Sequence, residues 1–427
     1  MLASTKRRNT EYYLFFLVLL IHVFFNSFML PVGLLYTMLL SPLMFLYLFN
    51  NLDREFAKSL GGFAMISIIF FIIHSFQKIN ISYYFTSLAI YLCCLIFYCF
   101  FRRLLTRYWA QFELLVRKIA QINIVLVGIA LCSLATGIAV NVFWFKNEIT
   151  QIIGFRRLRL LTYESSYYGA ILVPFFFYYF QHFFFKTLNK ERVFLFSTII
   201  ISICLSLSYG TIGGIAASVI IVALINLVVR RRAKFNKRVV ITTIIVGSAI
   251  VIISIFALSD SGFVARIFNI LEGKDSSVNG RTFDSYTIAL NVLTKENAML
   301  FGIGPGQFKV LGVNEVNRFY EYFLNDNFEA SKTVRLPCAN AETLVTYGVV
   351  GLVIRLLLEI YLFIKTDVAS SSYRLHLFVF IFLTQFAGSN LTNLPEYFIW
   401  AICFTPKSFY DNFFIGNTPA TRKISRS

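Results

Sequence analysis

Arginine sets the chemistry that this sequence offers. Arg156, Arg157, Arg159, Arg266, Arg281, Arg318 and Arg335 fall in two stretches, 145–164 and 259–340, that interrupt long apolar runs. A planar guanidinium forks onto phosphate oxygens through paired, charge-assisted hydrogen bonds, so arginines on one side of a protein suit an anionic ligand such as a diphosphate. The plainer account of each is a solvated side chain or a contact with lipid headgroups. The densest constellation starts at Arg157 and Arg159 and runs through Glu164, Ser165, Ser166, Tyr167 and Tyr168 to Gly169. There the chain enters a helix, whose free N–H groups and positive dipole end add to the arginine field. Ser165 or Ser166 can cap that helix, with Glu164 a favourable first-turn acid. Alternatively, Glu164 orients an arginine or accepts a proton from a substrate hydroxyl.

A second constellation is Asn279-Gly280-Arg281, then an amphipathic helix marked by Phe283, Tyr286, Leu290 and Leu293, then Gly302-Ile303-Gly304-Pro305-Gly306-Gln307-Phe308. These glycines imitate a dinucleotide fingerprint, but no strand precedes them and a proline interrupts them, which excludes a Rossmann site. Gly304 and Gly306 instead make a tight turn that brings backbone close to a ligand or to another part of the chain. Val313, Val316, Tyr320 and Phe323 mark a second amphipathic helix beyond the turn. A third constellation is Asn340, read as a helix N-cap, and Glu342, an acid favoured by the dipole or placed to meet a ligand. Gly348 and Gly351 then permit close helix packing. Arg355 and Glu359, spaced i, i+4 in an apolar run, are expected to pair toward the bundle interior. The four histidines, His22, His74, His182 and His376, all lie in or at the ends of apolar runs, so no loop histidine serves as a general base. Six of the seven cysteines lie in or beside the same runs, which disfavours a disulfide framework or a zinc site.

The elements that carry these groups are read from composition. The 427 residues are 58% hydrophobic and only 14% charged, and no soluble domain of this size needs that much apolar surface. The formal charge of +18 sits in short loops between the apolar runs, which favours membrane topology over nucleic-acid binding. The sequence reads as an all-α polytopic membrane protein of about 12 spans, each near the roughly 20 residues that cross a bilayer. They fall near 12–30, 32–50, 60–76, 83–101, 121–144, 165–185, 193–208, 211–229, 239–258, 341–364, 375–391 and 394–411. Threaded from a cytoplasmic N-terminus, they put Arg102, Arg103 and Arg107, Lys186, Lys190 and Arg192, the basic run 230–238 and the C-terminal basic residues all inside. A membrane domain of helices 1–9 (1–258) is followed by a large external helical loop (259–340) folded as a cap. Helices 10–12 (341–411) and a cytoplasmic tail (412–427) complete the chain.

At the three constellations the chain resembles the O-antigen and capsule polysaccharide polymerases (Wzy type) and the related O-antigen ligases. Residues 157–174 look like the family's arginine, Glu-Pro-Ser, aromatic, Gly pattern, with Ser165 where proline is usual. Residues 281–308 look like its Gly-Arg, amphipathic helix, Gly-x-Gly-x-Gly block, and 342–351 like the helix that follows the large loop. The resemblance implies a membrane glycosyltransferase of GT-C-like architecture that needs neither metal nor cofactor. It would transfer a growing glycan from undecaprenyl diphosphate to a hydroxyl of the next lipid-linked repeat, at the outer face of a bacterial cytoplasmic membrane. Arg157, Arg159 and Arg281 would clamp the diphosphate, and Glu164 would be base or arginine orienter. Arg156, Tyr168, Arg266, Gly304, Gly306, Asn340 and Glu342 would bind substrate. Membrane lipid, a chain-length regulator and a flippase are the implied partners, and nucleic acid is not. Ligases usually carry His-Asn ahead of the post-loop helix, whereas Pro337, Cys338, Ala339 and Asn340 stand here, which favours polymerase. A flippase or other transporter would share the helices but has no need of an ordered external cap.

Overall fold

The computed structural model describes residues 2–28, 30, 35–51, 53–146, 156–185, 189–229, 272, 276–324 and 335–405. The expected span at 239–258, the basic run 230–238, Arg266 and the C-terminal tail lie outside the described residues. The first half comprises α1 (Leu2–Phe24), α2 (Tyr36–Leu39), α3 (Ser41–Asn50), α4 (Arg54–Ser75), α5 (Ile81–Tyr108), α6 (Phe112–Thr136) and α7 (Val140–Phe143). Strands β1 (Trp144–Lys146) and β2 (Arg156–Leu158) follow, then α8 (Ser165–Phe185), α9 (Lys190–Leu205) and α10 (Tyr209–Val229). The cap holds α11 (Ser276–Arg281), α12 (Phe283–Lys295), α13 (Phe308–Leu311) and α14 (Val313–Leu324). The chain then returns to the bundle with α15 (Ala339–Lys365), α16 (Ser372–Thr384) and α17 (Leu394–Cys403).

Four described segments are long and apolar enough to cross a bilayer: Arg54–Ser75, Ile81–Thr136, Tyr209–Asn226 and Ala339–Lys365. This is the signature of a membrane-embedded helical protein, and shorter apolar helices at Glu11–Phe24, Ser372–Thr384 and Leu394–Cys403 accompany them among the described residues. The run at 32–50 divides into α2 and α3, with Pro42 in the first turn of α3 where it cannot continue the helix before it. Helix α1 starts earlier than expected and carries Lys6, Arg7 and Arg8 within it, because lysine and arginine are good helix formers and nothing there breaks the turn. Helix α8 is apolar all round and buried nearly all round, with Leu172, Val173, Phe177 and Tyr178 in the core, so it is the central helix.

Contacts between helices sort the loops into two ends. Arg103 pairs with Asp53 at 2.6 Å, Arg107 with Glu11 at 2.8 Å, Arg117 with Glu191 at 2.6 Å and Arg192 with Glu113 at 2.5 Å. These pairs join the start of α4, the end of α5 and the starts of α6 and α9 at one end. At the opposite end Asn26, just past α1, bonds Tyr167 at the start of α8. Because the start of α16 meets the end of α8 through Gln181 and Ser372 at 3.1 Å, the end of α16 returns to that same end. There the Gln385 carbonyl receives the Asn340 N–H at 3.1 Å and brings in the start of α15.

The cap is docked at this end by backbone. Helix α15 is interrupted at Gly348, with φ 68° and ψ −169°, a conformation open to glycine alone. The break frees Val345 and Thr346 carbonyls for Ile303 and Gly304 N–H at 2.9 and 3.0 Å, while Val349 and Val350 N–H reach Met299 and Leu300 carbonyls at 3.0 and 3.1 Å. The Cβ of any other residue at Gly348 would lie 2.2 Å from the Leu300 oxygen. In α12 the helical period is as expected but the buried face is rotated. Ser285, Ile288, Ala289, Val292 and Leu293 point inward, while Phe283 and Leu290 are exposed. Small Ser285 and Ala289 let α12 approach its neighbours closely, and the two bulkier residues are left outward. In α14 Val316 is buried; the side chains of Tyr320 and Phe323 lie outside the described residues.

Candidate functional site at the Arg157 end

The arginine segment after α7 is a strand, which an all-helical reading missed. β2 pairs antiparallel with β1, Arg157 opposite Phe145 and Arg156 opposite Lys146. Leu158 and Leu160 are fully buried and anchor the segment, and Arg159 and Leu160 N–H both reach the Phe143 carbonyl, at 2.9 and 3.0 Å. Arg157 leaves the strand on the face opposite Leu158, while Arg159 lies one residue beyond the strand and turns with Arg156 toward Asn141. Arg157 Nε donates to the Ser206 carbonyl at 3.1 Å, Arg159 Nη2 to the Asn141 carbonyl at 2.7 Å, and Arg156 Nη1 to Asn141 Oδ1 at 3.4 Å. Burial lowers the pKa of Arg159 from the usual guanidinium range. Ser206 also faces the first turns of α8: a Cβ on Gly169 would stand 3.0 Å from Ser206 Oγ. The loop after α9 thus ties the arginine strand to the N-terminus of α8.

Glu164 stands just before α8 rather than in its first turn, and its carbonyl accepts the Tyr168 N–H at 3.1 Å. Its carboxylate accepts from the Ser166 hydroxyl. Tyr163 beside it has its pKa raised, first by burial and then by the Glu164 charge. No described group accepts the backbone N–H of Ser165 or Ser166. The start of α15 contrasts with this. Asn340 is not its cap but lies inside it, with Cys338 in the cap position and no side-chain cap. The Ala339 and Asn340 N–H groups are taken by the carbonyls of Gly388 and Gln385 at 3.3 and 3.1 Å. The first two donors of that helix are thus taken by protein, whereas the Ser165 and Ser166 N–H groups of α8 have no acceptor among the described residues, Ser165 itself being buried.

The remaining candidates divide clearly. Tyr168 is fully buried and its hydroxyl donates to Asn123 Oδ1 at 2.5 Å, while Asn123 Nδ2 donates to Ser202 at 2.8 Å; the residue braces α6, α8 and α9. Gly304 and Gly306 face protein, since a Cβ would meet Tyr84 and His74 at the first and the Tyr83 carbonyl at the second. The turn therefore makes the close approach within the chain. His74 seals it, one ring nitrogen 2.9 Å from the Phe301 carbonyl and the other 3.1 Å from the Tyr84 hydroxyl. Arg281, half-buried at the end of α11, makes no hydrogen bond or ion pair with a described residue. Glu342 is buried, 3.3 Å from Arg335 Nη2, and accepts the Leu391 N–H at 2.7 Å.

Sequence reasoning passed over the setting of Glu342. Arg335, counted only among the scattered arginines, is its ion-pair partner. Glu396, buried at the start of α17 and 3.3 Å from Asn393 Nδ2, lies within electrostatic reach of Tyr397 together with Glu342. The signal available was Asn393-Leu394-Pro395-Glu396, a helix start with an acid in its first turn. Deeper in, Arg355 pairs with Glu359 at 3.2 Å and also donates to Thr343 Oγ1 at 2.8 Å and to Gln385 Oε1 at 2.9 Å, so the expected interior pair is part of a network. Among the described residues no cluster of His, Cys, Asp or Glu is placed to hold a metal ion.

Two groups of candidates thus occupy one end of the bundle: Arg157, Arg159 and Glu164 around α8, and Arg335 and Glu342 around α15. Compared with models of known protein families and with characterised proteins, the sequence matches none.

Proposed function

We propose that the protein is a membrane glycosyltransferase that polymerises lipid-linked oligosaccharide repeats, of O-antigen, capsule or exopolysaccharide type, at the outer face of a bacterial cytoplasmic membrane. The observation that supports this reading is the meeting of the arginine strand with the N-terminus of α8, whose Ser165 and Ser166 N–H groups have no acceptor among the described residues, fastened by Arg157 on Ser206 and by Ser206 against Gly169. Guanidinium groups beside unspent helix N–H donors suit a diphosphate, and pre-placed positive groups stabilise the charge that grows on a leaving diphosphate. In this reading a hydroxyl of the incoming lipid-linked repeat attacks the anomeric carbon of the growing glycan. The new C–O bond forms as the bond to undecaprenyl diphosphate breaks, and the hydroxyl proton passes to Glu164, directly or through Ser166. In this reading Arg281, at the end of the first described cap helix, is the third arginine of the clamp. Both termini are cytoplasmic, and a flippase supplies the substrate.

The test is chain length. Arg157→Ala and Arg281→Ala are expected to abolish extension, leaving lipid-linked repeats of length one on the outer face, while membrane insertion is unchanged. Full-length glycan from both variants overturns the clamp. Repeats trapped inside in a strain lacking the protein would make it a flippase instead. Glu164→Gln separates roles: normal polymer from that variant removes Glu164 as base.

A further inference from the structure

Where the hairpin between α4 and α5 meets α13 of the cap, a cavity of about 590 Å³ opens. Gln307 builds the joint. Its side chain accepts the Asn80 N–H at 2.7 Å and donates to the Asn80 carbonyl at 3.0 Å, so one glutamine copies a strand pairing with a single residue of the hairpin. The cavity beside it has an apolar part, including Ile81, Val310 and Leu311, and a polar part that includes Lys78 and Asn80. None of the lining residues is acidic. Lys309, on the same cap helix, lies 5.9 Å above the Tyr83 ring. Neither Lys78 nor Lys309 makes an ion pair with a described residue, so among the described residues the joint carries two cations without a counter-charge.

The surroundings identify the medium. Helix α4 is one of the four described segments able to cross a bilayer, and little of its apolar length is buried in protein. Its outward side chains run up to the cavity, with Ile72 53% exposed, Phe76 86% and, across the hairpin, Ile81 60%. Such a surface is covered by acyl chains, and it ends where Lys78 begins the polar rim. A lysine at the edge of an apolar surface extends its ammonium toward the headgroup layer.

We propose that this cavity holds one anionic bilayer phospholipid, its phosphate at Lys78 and Lys309 and its chains along Ile72, Phe76 and Ile81, wedged between the hairpin and the cap. The match is one of charge and shape: an uncompensated positive rim over an apolar wall continuous with the lipid-facing helix. A lipid there braces the joint that Gln307 makes, and the site is separate from the arginine strand.

The experiment uses the full chain purified in detergent, with phosphatidylglycerol and phosphatidylcholine as probes and native mass spectrometry as readout. Phosphatidylglycerol is expected to be retained over phosphatidylcholine by about fivefold for each lysine that meets the phosphate, the factor one juxtamembrane lysine contributes at an anionic surface. Lys78→Gln should reduce that preference by about the same factor. Val310→Trp, which fills the cavity, should abolish retention of the lipid, whereas Lys58→Gln at the other end of α4 should change nothing. Lipid-free melting curves of the variants establish that each is folded. Equal retention of the two lipids by the unaltered protein, or a preference that survives both Lys78→Gln and Val310→Trp, overturns the proposal. Displacement of bound phosphatidylglycerol by equimolar undecaprenyl phosphate would assign the cavity to the carrier lipid and overturn it as well.

Discussion

Gly348→Ala tests whether the cap is held by the break in α15. An alanine there must adopt φ 68°, ψ −169°, which costs about 1–3 kcal/mol for a residue with a Cβ. It must also displace the Leu300 oxygen, which would lie 2.2 Å from the new Cβ, adding about 1–3 kcal/mol of overpacking. Against this strain stand the backbone hydrogen bonds at Ile303, Gly304, Val349 and Val350, each contributing about 0.5–1.5 kcal/mol net. The two sides are of equal size, so the variant relieves itself by releasing the turn 299–306 rather than by unfolding the bundle. Amide hydrogen exchange read by mass spectrometry reports on those four N–H groups directly. The strain corresponds to exchange faster by about 30-fold to 10⁴-fold at 303–304 and 349–350, since each 1.4 kcal/mol is tenfold, with α8 and α9 unchanged. Gly62→Ala is the control, because a Cβ there meets nothing within 4 Å and α4 is a regular helix at that point. Unaltered protection at 303–304 in Gly348→Ala would refute the reasoning, as would equal acceleration in the control.

Two further outcomes follow from charge placement. Arg355→Leu leaves Glu359 buried beside Gln385 without its cation and should lower detergent stability by about 3–5 kcal/mol, whereas Arg355→Leu with Glu359→Leu should recover most of that loss; thermal melts that rank the double variant below the single one contradict the pairing. At Asp53 burial favours the neutral acid, but hydrogen bonds from Arg103 and from the backbone of Phe56 and Glu55 outweigh it and hold the pKa below the usual carboxylate value. The stabilisation is therefore complete above the unfolded pKa of about 3.9 and fades as pH falls through the lower folded value. The melting difference between the unaltered protein and Asp53→Asn should shrink below about pH 4 and stay constant at neutral pH.

What the sequence discloses here depends on how local the cause is. The bounds of α8 and nearly those of α15 are legible because a long apolar run has few ways to hide its backbone polar groups in a bilayer, and the pairing of Arg355 with Glu359 follows from helical spacing alone. The face of α12 is not legible in the same way. Its period is local, but which side turns inward depends on Ser285 and Ala289 being small enough to let α12 pack against α15, a tertiary fact. The same holds for β2: a short arginine-rich run with buried Leu158 becomes a strand only because β1 is there to pair with it. The glycines show the limit most sharply. Gly302, Gly304 and Gly306 announce a close approach in the sequence, and the partner that they approach is a break in α15 at Gly348 together with Tyr83, Tyr84 and His74, all distant in the chain. That partner changes the reading of the site. A turn that docks the cap through the Ile303 and Gly304 N–H groups no longer offers them to a ligand, and the Ala339 and Asn340 N–H groups at the start of α15 are taken as well. Among the described residues, the Ser165 and Ser166 N–H groups at the start of α8 have no acceptor and lie beside the arginine strand, so the diphosphate reading rests on that one junction rather than on all three constellations equally.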